Sequence, residues 1–457
     1  METVAGIIST IDGLLWGPWL LVLLFGTHVF LTFRLGFIQR KIGLGIKLSV
    51  TKDKDGSGDI SQFGALTTAL ASTIGTGNII GVGTAIALGG PGAVLWMWLT
   101  GIFGISTKYA ESLIAVKYRV KDEKGAMLGG AMYALERGLK MKWLGVLFAV
   151  FAAFAAFGIG DGVQSNAVAG LMEGDFGIPP WVTGIVLTIL VGLVLIGGLK
   201  WITKVCEIIV PFMAIIYVIG CVVLLILNRA FIGQAIVLIV SSAFTPRALG
   251  GGFIAASIMS AARYGIARGL FSNESGMGSA PIVASAARTK NPVRQALVSS
   301  TGTFWDTVVI CLLTGLVVVS SVIAHADIEA TQNGGILVRE SFAKIPGGQY
   351  ILIFGLFFFA FSTILGWAYY GEQGAEYLFG VKSNIPYRVI YTIICFLGTA
   401  IPLTMVWDLA DALNGLMIIP NLIAILLLSP VIVSETKKYL NNLDAVDNDP
   451  IPLRTDL

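Results

Sequence analysis

Long apolar blocks restrict this chain more than any other feature. Residues 14–33, 181–198 and 351–367 each approach the ~20 residues a helix needs to cross a hydrocarbon core. In lipid, only helices or closed barrels satisfy every backbone polar group. Barrel strands would alternate over roughly ten residues, and these blocks do not alternate. Charged residues are 12% of the 457, about half the ~25% of a soluble domain, which is too little polar surface for a water-facing body. The expected fold class is all-α and polytopic.

Apolar blocks between polar breaks give eleven expected spans, at 12–33, 62–88, 93–116, 143–172, 181–199, 202–227, 250–287, 294–323, 349–378, 385–401 and 404–432. With the N-terminus placed outside, the loops and tail expected in the cytoplasm hold 23 of the 30 Lys and Arg, and the opposite side holds Arg229, Arg247, Arg339 and Lys344. That asymmetry orients the chain with its C-terminus in the cytoplasm of a cell membrane. No basic stretch precedes the first apolar block, so no cleaved leader is expected. The polar, proline-containing tail from 434 is expected to be mobile.

Chemistry-bearing clusters are scarce. Cys206, Cys221, Cys311 and Cys395 all sit in apolar segments, without disulfide or zinc spacing. No histidine stands near a serine as a base would, and P-loop spacing is missing. Neither an enzyme, an ATP-driven pump, a cofactor nor a nucleic-acid partner is expected. An ion channel remains a rival, since it also tolerates unwound backbone at depth.

Helix-breaking polar sequence interrupts two spans. The second carries Gly75, Thr76, Gly77 and Asn78 at its centre, and the seventh carries Phe271, Ser272, Asn273, Glu274, Ser275, Gly276 and Gly278. Each opens a run of five spans, and the two runs start from opposite sides. Equivalent broken helices of opposite direction point to an inverted-repeat transporter with a midplane site. The expected organisation is an extra helix and loop (1–61), a first repeat (62–228), an extracellular connection (229–249), a second repeat (250–433) and a cytoplasmic tail (434–457). A discontinuous helix bares amides that suit a carboxylate and carbonyls that suit Na⁺. Glycines that only let helices pack closely are the competing account, but close packing needs neither Asn78 nor Glu274.

These segments resemble the alanine or glycine:cation symporter family, with its leucine-transporter-like fold. GLFSNESGMGSAP (269–281) resembles the family's seventh-helix block and AFTPRALGGGF (243–253) the segment leading into it. GGPGAVLWMWLTGIFG (89–104) is similar to its Gly-Gly, Trp-Met-Trp signature, with Leu95 where Phe is expected and Gly101 where Ser, Thr or Ala is usual. Both departures fall at a helix start and a packing face. The likeness runs from about residue 11 to 432.

The resemblance implies import of alanine or glycine driven by Na⁺, with H⁺ as the alternative. Another small solute on the same fold stays open. By the same resemblance, Gly75, Thr76, Gly77 and Asn78 would cradle the substrate carboxylate. Asn273 and the carbonyls near Phe271 and Ser272 would face the ammonium or side chain, beside Gly276 and Met277. In the fourth span Gln164 would contact substrate, and Asp161 would balance the ammonium or pair between helices. Ser362 and Thr363, with the carbonyls of Ala71 and Ile74, would hold Na⁺, and Trp367 would close the pocket and limit substrate size.

Two quieter expectations concern other charges. Lys108 with Glu111, and Lys204 with Glu207, are spaced to pair along one helix face. Arg263 and Arg268 would meet Glu274 or Asp306 in a gate, while Asp408, Asp411 and Asn414 would face the outer interface.

Overall fold

The computed structural model describes residues 13–53, 55–245, 257–329, 331–400 and 403–454, with residues 6, 10, 11 and 253; of 403–409 it describes the backbone alone. Most of the 243–253 motif, with Arg247, and the Asp408 side chain therefore lie outside the described residues.

The described elements are helices and one short antiparallel hairpin, Val120–Lys121 with Met127–Leu128, with isolated bridges such as Ser57 with Thr289 in the loops. In chain order the main helices are α1 Pro18–Arg34, α2 Gln62–Thr73, α3 Ile80–Gly89, α4 Gly92–Lys117, α5 Lys142–Phe176, α6 Pro180–Leu195 and α7 Gly198–Leu227. They continue as α8 Arg229–Ser242, α9 Ile258–Asn273, α10 Pro281–Ser285, α11 Pro292–Ala324, α12 Gly334–Phe342, α13 Gly348–Phe379, α14 Asn384–Gly398, α15 Leu403–Leu427 and α16 Ser429–Tyr439. Starts follow local chemistry. The Ser61 hydroxyl accepts from the Gly64 amide (2.8 Å) at the head of α2, and Asn291 accepts from the Arg294 amide (3.0 Å) ahead of α11, where Pro292 occupies the first turn.

Burial is inverted relative to a water-soluble bundle. On α7, Ile208, Phe212, Ile215 and Ile219 form an i, i+4, i+7, i+11 stripe with exposures of 73, 54, 59 and 57%. Asn78, Gln164, Glu274 and Asp306 are fully or almost fully buried. An apolar outside around a polar inside is what a lipid solvent selects.

Among the described residues, five helices are each long and apolar enough to cross a membrane, or six if the bent pair Pro18–Arg34 and Ile38–Ser49 counts as one. The expected eleven is larger because it includes the two broken helices, the short helices α6 and α14, and charged α4. Both breaks are present. The first separates α2 from α3 and the second separates α9 from α10. The expected connection 229–249 contains α8, which packs on α4 and α11.

Two expectations need correction. Lys204 and Glu207 do not pair. Glu207 instead accepts from the Ser61 hydroxyl (3.1 Å) beside the α2 N-terminus, so interhelical capping outcompetes an intrahelical ion pair. Nor is the tail loose, because residues 443–454 dock on the face that carries most of the basic residues. There the Lys121 amide donates to Pro452 O (2.9 Å) and the Arg454 amide to Lys121 O (2.8 Å). Those amides, and the aromatic seat of Arg454 described below, hold a segment whose composition suggests mobility.

Candidate functional site

At the first break, α2 ends because its next amides turn elsewhere. The Gly75 amide donates to Asn78 Oδ1 (2.9 Å) and the Thr76 amide to Gln164 Oε1 (3.2 Å) on α5. The carbonyl of Ala71, which Gly75 would have served in a continuing helix, receives the hydroxyls of Thr363 (3.0 Å) and Ser362 (3.4 Å) on α13. Gly75 has to be small, since a Cβ there would stand 2.5 Å from Thr363 Oγ1. Ile74 is buried at the end of α2, its amide still on Leu70 O.

The second break begins at Glu274, three residues after the start of the polar run that the sequence marks at Phe271. α9 continues through Phe271 and Ser272 to Asn273, and Glu274 (φ 56°), Gly276 (φ 97°) and Gly278 (φ 79°) then take left-handed conformations. The amides that would close another turn are diverted. Ser275 donates to Asn273 Oδ1 (2.9 Å), Met277 to Glu274 O (3.2 Å), and Gly276 and Gly278 to Glu111 Oε2 on α4 (3.1 and 3.3 Å). Asn421 Nδ2 donates to the same Glu111 oxygen (3.0 Å) and to Gly276 O (2.8 Å). The expected Lys108–Glu111 pair forms at 3.3 Å, so the lysine neutralises a carboxylate that also holds the unwound backbone.

Asp306 joins the two breaks. It lies on a π-helical stretch of α11, a conformation frequent at functional sites. Asn78 Nδ2 donates to its Oδ1 (2.7 Å), while Ser272 Oγ (2.9 Å) and Thr307 Oγ1 (2.6 Å) donate to its Oδ2. Asn273 Nδ2 then reaches Thr307 Oγ1 (3.1 Å). Gly77 faces the Phe271 ring, 3.0 Å from where its Cβ would be. The unusual Gly101 packs on the same stretch, where a Cβ would come within 2.7 Å of Thr307.

Fully buried Trp367 forms one wall, and its indole donates to Glu274 Oε1 (2.8 Å). Ser279 Oγ donates to Glu274 Oε2 (2.6 Å). The wall is backed by Gly160 of α5, where a Cβ would collide with Trp367 Cβ. Gln164 is aimed at the first break by its own donation to Ile159 O (3.0 Å).

The structure thus gathers Gly75, Thr76, Gly77, Asn78, Gln164, Phe271, Ser272, Asn273, Gly276, Met277, Thr363 and Trp367 around the two breaks. It does not bring Asp161 among them. That carboxylate, fully buried on the neighbouring π-helical stretch of α5, lies beside the Cys395 thiol on α14. The gate expected from Arg268 is also corrected, because its guanidinium pairs with Asp411 (2.7 Å) and lies over the Phe271 ring, not on Glu274 or Asp306. Arg263 lies over Tyr264. Sequence reasoning missed Asp306 and Glu111 as organisers of the breaks. The available signal was one acid in the apolar run FWDTVVIC and another in the charged middle of α4.

Chemically, the site offers neutral hydroxyl and carbonyl oxygens at Ala71, Ser362 and Thr363, redirected amides at Gly75 and Thr76, and one buried carboxylate between the breaks. Among the described residues no three His, Cys, Asp or Glu side chains converge as a transition-metal centre would need. On the side away from the basic face, a cleft of about 240 Å³ is lined by Ile79, Asn166, Leu171, Asn333, Arg339 and Leu356.

Comparison with known proteins adds four findings. A family profile described as the sodium:alanine symporter family matches residues 1–451. A sodium/alanine symporter of Methanococcus maripaludis, AgcS, is 51% identical over 441 residues, covering 95% of this chain and 96% of that protein. An otherwise uncharacterized transporter of Haemophilus influenzae is 50% identical, covering 96% and 97%. Among solved structures, MhsT in complex with L-phenylalanine superposes with a TM-score of 0.60 at 16% identity, covering 86% of this chain and 94% of that one. This likeness concerns the fold alone.

Proposed function

The chain belongs to the sodium:alanine symporter family, and from that premise we propose that it imports alanine or glycine with Na⁺ by alternating access. The observation that carries the reading is Asp306, which ties Asn78 of the first break to Ser272 in the last turn of α9, just before the second, and so joins the two break regions into one polar site.

In this reading the redirected backbone at Gly75, Thr76 and Gly77, with Asn78 and Gln164, receives the substrate carboxylate. A helix break is suited to this because its amides and dipole favour negative charge. Phe271, Ser272, Asn273, Gly276 and Met277 line the other end, where the last carbonyls of α9 favour an ammonium. Na⁺ is cargo. It is held by the carbonyls of Ala71 and Ile74 and the hydroxyls of Ser362 and Thr363, and the 3.0 Å approach of Thr363 to Ala71 O supports that set. Trp367 limits the side chain that fits. Asp161, set apart from the breaks, serves an interhelical contact. The basic face is cytoplasmic and the cleft beside Asn333 faces outside, with the N-terminus outside and the C-terminus inside.

Titration of alanine into the purified protein tests the reading. Binding is expected in Na⁺ and lost in choline. Equal affinity in both would remove Na⁺ as the coupling ion, and uptake driven by a proton gradient without Na⁺ would replace it with H⁺.

A further inference from the structure

On the basic face, the inner ends of both broken helices are sewn together ahead of any tail contact. The segment 57–60 before α2 pairs with 286–289 after α10 through Asp59 N to Ala286 O (2.8 Å), Arg288 N to Ile60 O (2.8 Å) and Thr289 N to Ser57 O (3.2 Å). Arg119 spans the seam, donating to Ser57 O (3.0 Å), Ser285 O (2.9 Å) and Ala287 O (3.0 Å).

A second layer lies over this seam. Residues 443–454 run across it with anchors on both halves of the molecule. Asn291 Nδ2 donates to Leu443 O and Ala445 O (both 2.9 Å), Arg294 pairs with Asp444 (3.1 Å), and the Asp447 amide donates to Lys290 O (2.8 Å). These contacts hold the second half. On the first half, Lys117 pairs with Asp449, and Lys121 forms a bridge with Leu453. Arg454 lies between the rings of Tyr133 and Tyr377, donating to Tyr133 Oη (2.5 Å) and Tyr377 O (2.9 Å).

We propose that residues 443–454 are a latch that holds the basic face closed and must leave its seat for that face to open. The inference rests on the alternating-access reading above. In that mechanism the inner half-helices separate, so a strap anchored on both sides has to stretch or let go. Its anchors suit release. The ion pairs end on the exposed carboxylates of Asp444 and Asp449, where each pair is weak and screened by salt. The other anchors are a few backbone and Asn291 hydrogen bonds and one buried cation, Arg454, held by two aromatic rings. Asp449 is 63% exposed, and the hydrogen bond and charge of Lys117 hold its carboxyl below the ordinary carboxylate range, so the pair stays formed at neutral pH.

The test uses the full chain, whose native cysteines are buried. Gln62, buried in the first turn of α2 and lining a cavity on this face, becomes a reporter as Gln62→Cys. Its labelling by an impermeant maleimide from the basic side is expected to rise at least about fivefold, as a shift in the closed–open equilibrium requires, when Arg454→Ala and Asp449→Asn release the strap. In a separate protein, Lys121→Cys with Leu453→Cys fixes the strap on oxidation. Sodium-driven alanine uptake should then fall about tenfold and return with reductant. Unchanged labelling, or full uptake with the cross-link formed, overturns the latch. Failure of the reduced protein to transport alanine would instead count against the transport reading, while labelling, which needs no substrate, still decides the latch.

Discussion

The side-chain amide of Asn78 donates to the carboxylate of Asp306 across 2.7 Å and 228 positions of sequence, in a site from which solvent is excluded. A bond between a charged and a neutral group at this depth is stronger than its surface counterpart. It also fixes the separation of the two helix breaks, because Ser272 holds the other oxygen of the same carboxylate.

Asp306→Asn keeps the volume of the side chain but turns an acceptor facing three donors into a mixed group. Alanine affinity is expected to weaken at least about tenfold, or ~1.4 kcal/mol, with the protein still folded. Calorimetry on the detergent-purified variant checks this, and unchanged affinity would remove Asp306 from the site.

Thr363→Val removes a hydroxyl but preserves shape. If Thr363 and Ala71 O hold the coupling ion, the Na⁺ concentration for half-maximal uptake should rise about tenfold, with alanine affinity at saturating Na⁺ little changed. A fall in alanine affinity with no change in Na⁺ dependence would assign Thr363 to the substrate instead. Gly75→Ala, which places a methyl 2.5 Å from the same hydroxyl, is expected to impair both.

Trp367 has two separable duties. Trp367→Ala opens space beside the breaks and should admit bulkier amino acids, whereas Trp367→Phe retains most of the bulk and loses only the donation to Glu274. Competition by a series of neutral amino acids reads the difference. Unaltered specificity in Trp367→Ala would end its role as a size limit.

Glu111 predicts a stability effect. Glu111→Ala leaves Lys108 buried without its partner and releases the amides of Gly276 and Gly278. Breaking a buried pair in this way costs about 3–5 kcal/mol, so thermal unfolding should occur at markedly lower temperature. Adding Lys108→Met should restore part of the loss, and strict additivity of the two changes would contradict the pairing.

The breaks were legible because membrane helices carry a simple prior. Glycine with Asn78 or Glu274 inside an apolar span has few explanations other than exposed backbone. The organisers were less legible. Nothing local to Asp306 or Glu111 indicates that one would meet Asn78 and the other the amides of Gly276 and Gly278, since those contacts exist only once distant helices pack. The Arg268–Asp411 pair is of the same kind. Spacing made Lys204 and Glu207 look like partners, but Ser61 on another helix claims the carboxylate. The tail misled for a related reason. Its polarity reads as mobility, yet Arg454 finds Tyr133 and Tyr377, distant in sequence but edge to face in the fold.

Counterflow of labelled alanine in liposomes tests the central claim most directly, with and without a sodium gradient and with Asn78→Leu as the control. Sodium-dependent accumulation in the parent and none in the variant is the predicted result. Accumulation that ignores sodium, or survives loss of the Asn78 amide, would contradict the account that two unwound helix segments bind substrate and ion together.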